Sequence, residues 1–290
     1  CRHGTGQLTI NLTIGAFWRG WRDRLRDGGN ESAALDAKRL AAHALGLSDL
    51  ELAMREHDLV DAAAVRRATA LFERRLDGEP VGRIIGEREF YGLPFRLNAA
   101  TLEPRPETEL LVDLAIRDLP PGGRLLDLGT GTGCIPVAIL ANRPDAMAVA
   151  VDLSAEALEG AQQNAAGNGV ADRMEFLQGS WFEPLGDAPF HLVTSNPPYI
   201  ASPVLPTLSA EVRRFDPALA LDGGSDGLAP YRIIATQAAR FLLPSGKLLL
   251  EIGYDQGGAV TALLREAGWS AIAIHQDLNG LDRVVSAHQL

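Results

Sequence analysis

From residue 107 onward the chain alternates short apolar segments with amphipathic ones, and this alternation constrains the fold more than any other feature. The spacing predicts strands at residues 124–128, 146–152, 174–178, 191–196, 247–252, 270–275 and 283–288. It predicts helices at residues 107–118, 133–142, 154–166, 231–242 and 259–267. Apolar strands that alternate with amphipathic helices form a parallel sheet that is covered on both faces. The sequence therefore predicts an α/β fold with a doubly wound sheet.

The first hundred residues show a different periodicity and predict a separate domain. Apolar residues at helical spacing predict four short helices, and the pair Ser48 and Glu51 is a capping-box signature at the start of the third. Glycine and proline then interrupt the apolar residues of a hairpin-like stretch. We predict an unstructured or non-native start at 1–10, a helical bundle at 11–82, a β-hairpin linker at 83–103 and a second domain at 104–290.

The charge distribution argues against a dedicated nucleic-acid binder. The net charge is −10, with 15 basic and 15 acidic residues before Pro104 and 12 basic and 22 acidic residues after it. The whole excess of negative charge therefore belongs to the second domain. A surface that holds a phosphate backbone needs the opposite sign. We therefore expect no direct nucleic-acid binding.

The sequence also gives no sign of a metal site or a membrane segment. The two cysteines, Cys1 and Cys134, cannot form a disulfide framework, and the six histidines have no metal-ligand spacing. The apolar stretches are too short to cross a bilayer, and no secretory signal is visible. We expect a cytoplasmic monomer with no bound metal and no membrane contact.

A glycine-rich loop follows the first strand of the alternation and reads Asp-Leu-Gly-Thr-Gly-Thr-Gly, from Asp127 to Gly133. Doubly wound sheets bind ligands at the carboxyl ends of their strands, and glycines let the backbone approach a ligand closely. A dinucleotide-binding fingerprint would need its third glycine at Cys134 or Pro136, so a dehydrogenase is excluded. The loop resembles motif I of the class I S-adenosylmethionine-dependent methyltransferases. A tight strand-to-helix turn is the alternative.

Two further strands end in polar residues that could bind a ligand by hydrogen bonds. Asp152 ends the second strand, where a carboxylate can accept hydrogen bonds from both ribose hydroxyls of an adenosine, or can help to cap the next helix. The fourth strand ends in Asn196-Pro197-Pro198-Tyr199. The prolines remove two N–H donors and leave free carbonyls, so that these and the asparagine oxygen can accept from one –NH2 group, against an aromatic face. This motif resembles the methyltransferases that act on amino groups of DNA bases or on glutamine side chains.

More segments extend the resemblance over most of the chain. They lie at residues 79–81, 86–92, 103–109, 180–182, 216–217, 223–228 and 282–284. In this order, residues 17 to 287 are similar to the peptide chain release factor glutamine methyltransferases, the HemK/PrmC family. The related enzyme of a ribosomal protein typically departs from Arg-Pro-Glu-Thr-Glu, which is intact at residues 105–109. Glu103 and Pro136 depart from the family pattern, and we expect neither to touch the chemistry.

The resemblance implies a Rossmann-like class I methyltransferase sheet with an antiparallel last strand, beside the N-terminal helical bundle. Because a glutamine in a protein loop is presented by a large partner, we expect this bundle to dock the substrate; a bundle that only stabilises the enzyme is the alternative. The resemblance also implies methyl transfer from S-adenosylmethionine, leaving S-adenosylhomocysteine, to the glutamine of the Gly-Gly-Gln loop in class I release factors, which modulates translation termination. The cofactor residues it implies are Asp127, Gly129, Thr130, Gly131, Thr132, Gly133, Asp152, Leu153, Trp181 and Asn196. The substrate residues are Asn196, Pro197, Pro198, Tyr199, Arg105 and Glu107, with Asn196, Pro197 and Tyr199 catalytic.

Three of these assignments have an alternative. Trp181 is either an ordinary core aromatic or a neighbour of the adenine. Arg105 and Glu107 either order the substrate pocket or cap the helix that follows, where an acidic residue is favourable in any case.

Other activities are compatible with parts of the sequence. Residues 223–227 match the Gly-x-Ser-x-Gly pattern of a hydrolase nucleophile elbow, but no apolar strand precedes them. A DNA amino-methyltransferase would need a basic cleft and a recognition segment, whereas the segment after Tyr199 is short and uncharged. A protein that only senses S-adenosylmethionine needs no acceptor site such as Asn196 and Tyr199. A ribosomal-protein methyltransferase stays open as an alternative.

Overall fold

The computed structural model describes residues 12–289, and it divides the chain into two compact units, Cys1–Ile85 and Gly86–Leu290. The start expected at residues 1–10 lies outside the described residues. None of the described helices is long and apolar enough to cross a membrane.

The first unit is helical. Its described helices are α1 (Ile14–Asp27), α2 (Ala33–Leu45), α3 (Asp49–Met54), α4 (Ala62–Leu76) and α5 (Val81–Ile85). The predicted capping box is present, since Ser48 and Glu51 bond to each other's backbone N–H groups. Stacked rings of Trp21 and Phe72, with centroids 4.6 Å apart, lie in the core of this unit. The fifth helix was not predicted, because the glycines and isoleucines at residues 82–86 suggested hairpin chemistry.

A β-hairpin begins the second unit. It pairs β1 (Glu87–Phe90) with β2 (Leu93–Arg96) in antiparallel register. Tyr91 and Gly92 form the turn with φ of 54° and 72°, as a two-residue turn of type I′ requires. The hairpin is therefore shorter than the predicted linker, and residues 83–85 belong to α5 instead.

The rest of the second unit is a seven-stranded sheet with the order β5-β4-β3-β6-β7-β9-β8. Its strands are β3 (Arg124–Leu128), β4 (Met147–Asp152), β5 (Met174–Gln178), β6 (Phe190–Ser195), β7 (Leu242–Glu251), β8 (Ser270–Gln276) and β9 (Asp282–His288). The first five pair in parallel, and β9 is antiparallel to both β7 and β8. The doubly wound sheet with an antiparallel last strand is confirmed.

Helices cover both faces of this sheet. They are α6 (Glu109–Asp118), α7 (Cys134–Asn142), α8 (Ala155–Gly167), α9 (Ala210–Phe215), α10 (Ala229–Gln237) and α11 (Gly257–Glu266). Two buried apolar clusters result, one containing Leu111 and Ile139, the other containing Tyr231 and Val260. The strand order reverses between β3 and β6, and a crevice forms at such a switch point.

Two stretches differ from the sequence-based prediction. Strand β7 begins at Leu242, five residues earlier than expected, and helix α10 ends before it in a 3-10 turn at Ala238–Phe241. The segment after Tyr199 folds into the 3-10 turn Ser202–Thr207, helix α9 and the 3-10 turn Ala218–Ala220. These elements are too short for a periodic apolar pattern, so periodicity does not predict them.

Candidate active site

A cavity of about 250 Å³ lies at the carboxyl ends of β3, β4 and β6. Ten residues of the predicted site line it: Arg105, Gly129, Thr130, Gly131, Thr132, Asp152, Leu153, Trp181, Asn196 and Pro198. Asp127, Gly133, Glu107, Pro197 and Tyr199 lie outside the lining. The structure thus brings the glycine loop and the Asn-Pro-Pro-Tyr segment to one cavity, although they are separated by more than 60 positions in the sequence.

The glycine loop needs its glycines for two different reasons. Gly129, Gly131 and Gly133 have positive φ values of 69°, 54° and 75°, which a residue with a side chain rarely adopts. A Cβ on Gly133 would lie 3.1 Å from Ala161 Cβ, whereas one on Gly129 or Gly131 would meet no protein atom within 4 Å. The first two glycines therefore leave the cavity side of the loop open, and the third allows α7 to approach α8.

Asp152 ties the loop to the end of β4. Its Oδ2 accepts from Gly131 N at 2.9 Å and its Oδ1 accepts from Ser154 N at 2.9 Å. Burial raises the pKa of this carboxyl, while the backbone hydrogen bonds oppose the rise. Each oxygen keeps a free lone pair, so the carboxylate can also accept hydrogen bonds from a ligand in the cavity.

Asp127 lies beneath the loop rather than on the cavity wall. It is fully buried, and Thr194 Oγ1 donates to its Oδ1 at 2.8 Å. Within residues 12–289 its Oδ2 has no hydrogen-bond partner. Burial raises the pKa of Asp127 to about 7, because the charged form is poorly solvated there.

The position of Trp181 is compatible with a core aromatic and with a neighbour of the adenine. Trp181 packs against the apolar cluster of the sheet and also lines the cavity. Its φ of 52° is unusual for a residue with a large side chain. Leu153 also lines the cavity and remains 54% exposed, so it offers an apolar surface at the cavity entrance.

The Asn-Pro-Pro-Tyr segment leaves β6 directly into the cavity wall. Asn196 Nδ2 donates to Thr108 Oγ1 at 3.4 Å, and Pro197 is buried. The Tyr199 ring packs against the core, and burial raises the pKa of its phenol to about 12. Gln256 Nε2 donates to the Tyr199 carbonyl at 3.0 Å, which holds the end of the segment.

The glycine-rich residues 223–227 support this segment from behind. A Cβ on Gly223 would lie 2.8 Å from the Pro198 carbonyl oxygen, and one on Gly227 would lie 2.4 Å from that of Tyr199. The 3-10 turn Ala218–Ala220, not a strand, precedes these residues. A nucleophile elbow requires a strand there, so these glycines serve close packing.

Arg105 and its neighbours border the cavity on a third side. Arg105 Nη2 forms an ion pair with Asp216 Oδ2 at 2.9 Å and caps no helix with its side chain. Glu107 lies in the 3-10 turn Pro106–Thr108 and is half-buried. Glu103 is buried, and it pairs with Arg88 at 3.2 Å. It also lines the cavity, so this residue lies closer to the proposed chemistry than we expect from the sequence.

Sequence reasoning missed Thr108, Glu251 and Gln256, whose side chains contact or approach the Asn-Pro-Pro-Tyr segment. Glu251 is the last residue of β7 and is only 2% exposed. A charged residue at the end of an otherwise apolar parallel strand was the available signal, because strand ends meet at the ligand-binding edge.

Among residues 12–289 no group of three or more His, Cys, Asp or Glu side chains is arranged to hold a metal ion.

The sheet order, the glycine loop and the carboxylate at the end of β4 define a class I methyltransferase. Family models match the chain in two places: the PrmC N-terminal domain at residues 17–86 and the methyltransferase small domain at residues 106–209. A methyltransferase from Pyrococcus furiosus has a similar fold, with a TM-score of 0.52 at 15% identity over 77% of this chain and 97% of that chain.

Two relatives specify the family. The release factor glutamine methyltransferase of Agrobacterium fabrum is 43% identical over 98% of both chains. That of Cereibacter sphaeroides is 46% identical over 91% of this chain and 94% of its own. The chain therefore belongs to the release factor glutamine methyltransferase family.

Proposed function

We propose that this protein transfers a methyl group from S-adenosylmethionine to the side-chain amide nitrogen of a glutamine in a peptide chain release factor. The observation that carries the proposal is that Asn196 and Pro198 line the same cavity as Gly129 and Gly131. An acceptor amide held by Asn196 and Pro198 would lie beside a cofactor held by the glycine loop. The Gly-Gly-Gln loop of a class I release factor is the proposed acceptor segment.

The residues of the cavity fit the cofactor. Gly129 and Gly131 leave the loop open toward the cavity, and Asp152 offers carboxylate lone pairs to ribose hydroxyls. Trp181 and Leu153 supply apolar surface for an adenine ring. When bound, S-adenosylmethionine supplies an electrophilic methyl group on a sulfonium centre.

The chain's own contribution to the reaction is mainly positioning. An amide nitrogen is a poor nucleophile because its lone pair is delocalised into the carbonyl. Asn196 Oδ1 and a carbonyl of the proline pair would accept from the two protons of the –NH2 group and hold it in line with the methyl group. These acceptors gain strength as positive charge develops on nitrogen in the transition state. The proton then leaves to water.

Tyr199 has a structural part in this scheme. Its phenol stays protonated near neutral pH, because burial raises its pKa to about 12. It is therefore no general base, and its ring, packed against the core, anchors the end of the Asn-Pro-Pro-Tyr segment. Gln256 donates a hydrogen bond to the Tyr199 backbone carbonyl, and Gly227 packs closely against the same carbonyl.

The helical first unit is proposed to dock the release factor. A glutamine within a protein loop belongs to a large substrate, and a second contact surface increases affinity for such a substrate. Because translation termination takes place in the cytoplasm, we assign the protein to that compartment.

The proposal is tested by incubation with radiolabelled S-adenosylmethionine and three acceptors: a release factor, a ribosomal protein and DNA. We expect label in the release factor, and none in a release factor whose Gly-Gly-Gln glutamine is replaced by alanine. Label in DNA or the ribosomal protein alone would overturn the proposal.

A further inference from the structure

The buried carboxylate of Glu251 lies at the edge of the proposed acceptor site and has no part in the scheme above. Strands β6 and β7 are parallel neighbours with Ser195 opposite Leu250, so Asn196 and Glu251 occupy adjacent positions at the ends of their strands. Glu251 is 2% exposed. Within residues 12–289 its Oε2 has no hydrogen-bond partner, although such a buried atom ordinarily has one.

Two hydrogen-bond donors approach this carboxylate, the hydroxyl of Thr108 and the side-chain amide of Asn196. Asn196 Nδ2 also donates to Thr108 Oγ1 at 3.4 Å. The three side chains therefore form a cluster in which the –NH2 end of Asn196 faces acceptors. Its Oδ1 is left for the cavity, where an acceptor amide needs a hydrogen-bond acceptor.

We propose that Glu251 is a positioning residue, whose ionised carboxylate holds the Asn196 amide with Nδ2 inward and Oδ1 toward the substrate glutamine. This inference rests on the proposed function. A neutral Glu251 carries an O–H that can donate to Asn196 Oδ1, which allows the amide to reverse. The reversed amide presents an –NH2 group to the substrate –NH2 group, and two donors cannot bond to each other.

Burial and the charged and polar groups around Glu251 set its pKa, so that its protonation state changes with pH near neutrality. Burial raises its pKa to about 7; Thr108, Arg283 and Asn196 oppose the rise, and Glu107 adds to it. The phenols of Tyr199 and Tyr231 also face it and stay neutral in this range, and the nearby thiol of Cys134 has its pKa raised to about 12 by burial. Glu251 is therefore the group of this cluster that titrates close to pH 7.

The test is the pH dependence of kcat for release factor methylation at saturating S-adenosylmethionine, in the unaltered protein and in Glu251→Gln. The glutamine –NH2 group donates as a protonated glutamate does, so the variant should behave at every pH like the unaltered protein at low pH. We expect kcat of the unaltered protein to rise with pH through about 7 and that of Glu251→Gln to stay flat. At pH 8 the variant should be at least about tenfold slower, with the cofactor Kd changed less than about twofold.

Asp118→Asn is the matched control. Asp118 pairs with Lys247 of β7 at 3.3 Å, four residues before Glu251, and its pKa is lowered. This variant should keep the kcat and the pH profile of the unaltered protein. A profile of Glu251→Gln that still rises through about pH 7 overturns the inference. If the unaltered protein methylates no release factor glutamine, the proposed function is overturned and the inference with it.

If Glu251→Gln fails to fold, as judged by loss of cofactor binding, Thr108→Val decides the question. This substitution removes the hydroxyl that accepts a hydrogen bond from Asn196 Nδ2, and it leaves Glu251 in place. A lower kcat with the rise through about pH 7 retained supports the inference, and an unchanged kcat overturns it.

Discussion

Gly131 donates its backbone N–H to Asp152 Oδ2 at 2.9 Å, so the loop after β3 is joined to the end of β4 by one charge-assisted hydrogen bond. The same carboxylate accepts from Ser154 N at the start of α8. One side chain thus orders the glycine loop and the next helix, and it still lines the cavity.

Asp152→Asn is expected to weaken cofactor binding about ten- to a hundredfold. The amide has one acceptor oxygen in place of two, so one of the backbone donors then faces an –NH2 group, and the ribose loses an acceptor. Calorimetric titration with S-adenosylmethionine measures the change. Asp145→Asn is the control, because Asp145 also accepts from a backbone N–H, that of Gly122 at 2.7 Å, at an exposed site. Equal affinity in the two variants would contradict the role of Asp152.

Gly227→Ala should displace the Asn-Pro-Pro-Tyr segment. Its φ is 75°, and the added Cβ would lie 2.4 Å from the Tyr199 carbonyl oxygen and 2.9 Å from Gln256 Nε2. We expect a loss of stability of about 1–3 kcal/mol and a marked fall in kcat. Thermal unfolding and turnover measure these effects. Gly167→Ala, where the added atom meets nothing within 4 Å, should leave both unchanged or improve stability.

Asp127 should make the folded protein less stable as the pH rises from about 4 to about 7. The folded chain holds this proton up to about pH 7, whereas the unfolded chain releases it near pH 4. Between these values the folded state binds more protons, so the free energy of unfolding declines with rising pH. Urea denaturation at several pH values, without cofactor, should show a smaller decline for Asp127→Asn. Identical slopes would rule out the raised pKa.

Arg105→Ala should raise the KM for the release factor about threefold or more and leave the cofactor Kd unchanged. Arg105 is 45% exposed on the cavity side, and its ion pair anchors the segment after α9 through the buried Asp216. Steady-state kinetics with varied release factor gives both constants. Arg117→Ala, which removes an arginine paired with Asp118, is the control. A raised cofactor Kd with an unchanged KM would assign Arg105 to cofactor binding instead.

Removal of the first unit, residues 1–85, should reduce methylation of the release factor far more than it reduces cofactor binding. The proposed docking surface is lost, while the glycine loop and Asp152 remain. Retained binding of S-adenosylmethionine shows that the shortened chain is folded. Undiminished methylation by that chain would refute the docking role of the first unit.

The features that could be predicted from the sequence are those whose signal is local. The glycine loop and Asp152 are recognisable because each follows an apolar strand, and parallel strands bring their carboxyl ends to one edge. The capping box at Ser48 and Glu51 is equally local.

The features that could not be predicted depend on contacts between distant segments. Glu251 is a lone charge at a strand end until β7 places it beside Asn196. Residues 223–227 resemble a catalytic motif in sequence, and only their contact with the Pro198 and Tyr199 carbonyls reveals a packing role. Helix α5 was missed because its five residues are too few for a periodic pattern.

The most direct test of the account is the mass of a release factor after incubation with S-adenosylmethionine and either the unaltered protein or Asn196→Ala. Cofactor affinity of the variant is measured alongside, to establish that its site is formed. We predict the addition of one methyl group, on the Gly-Gly-Gln glutamine, with the unaltered protein, and almost none with the variant at equal cofactor occupancy. Equal methylation by both proteins would contradict the account.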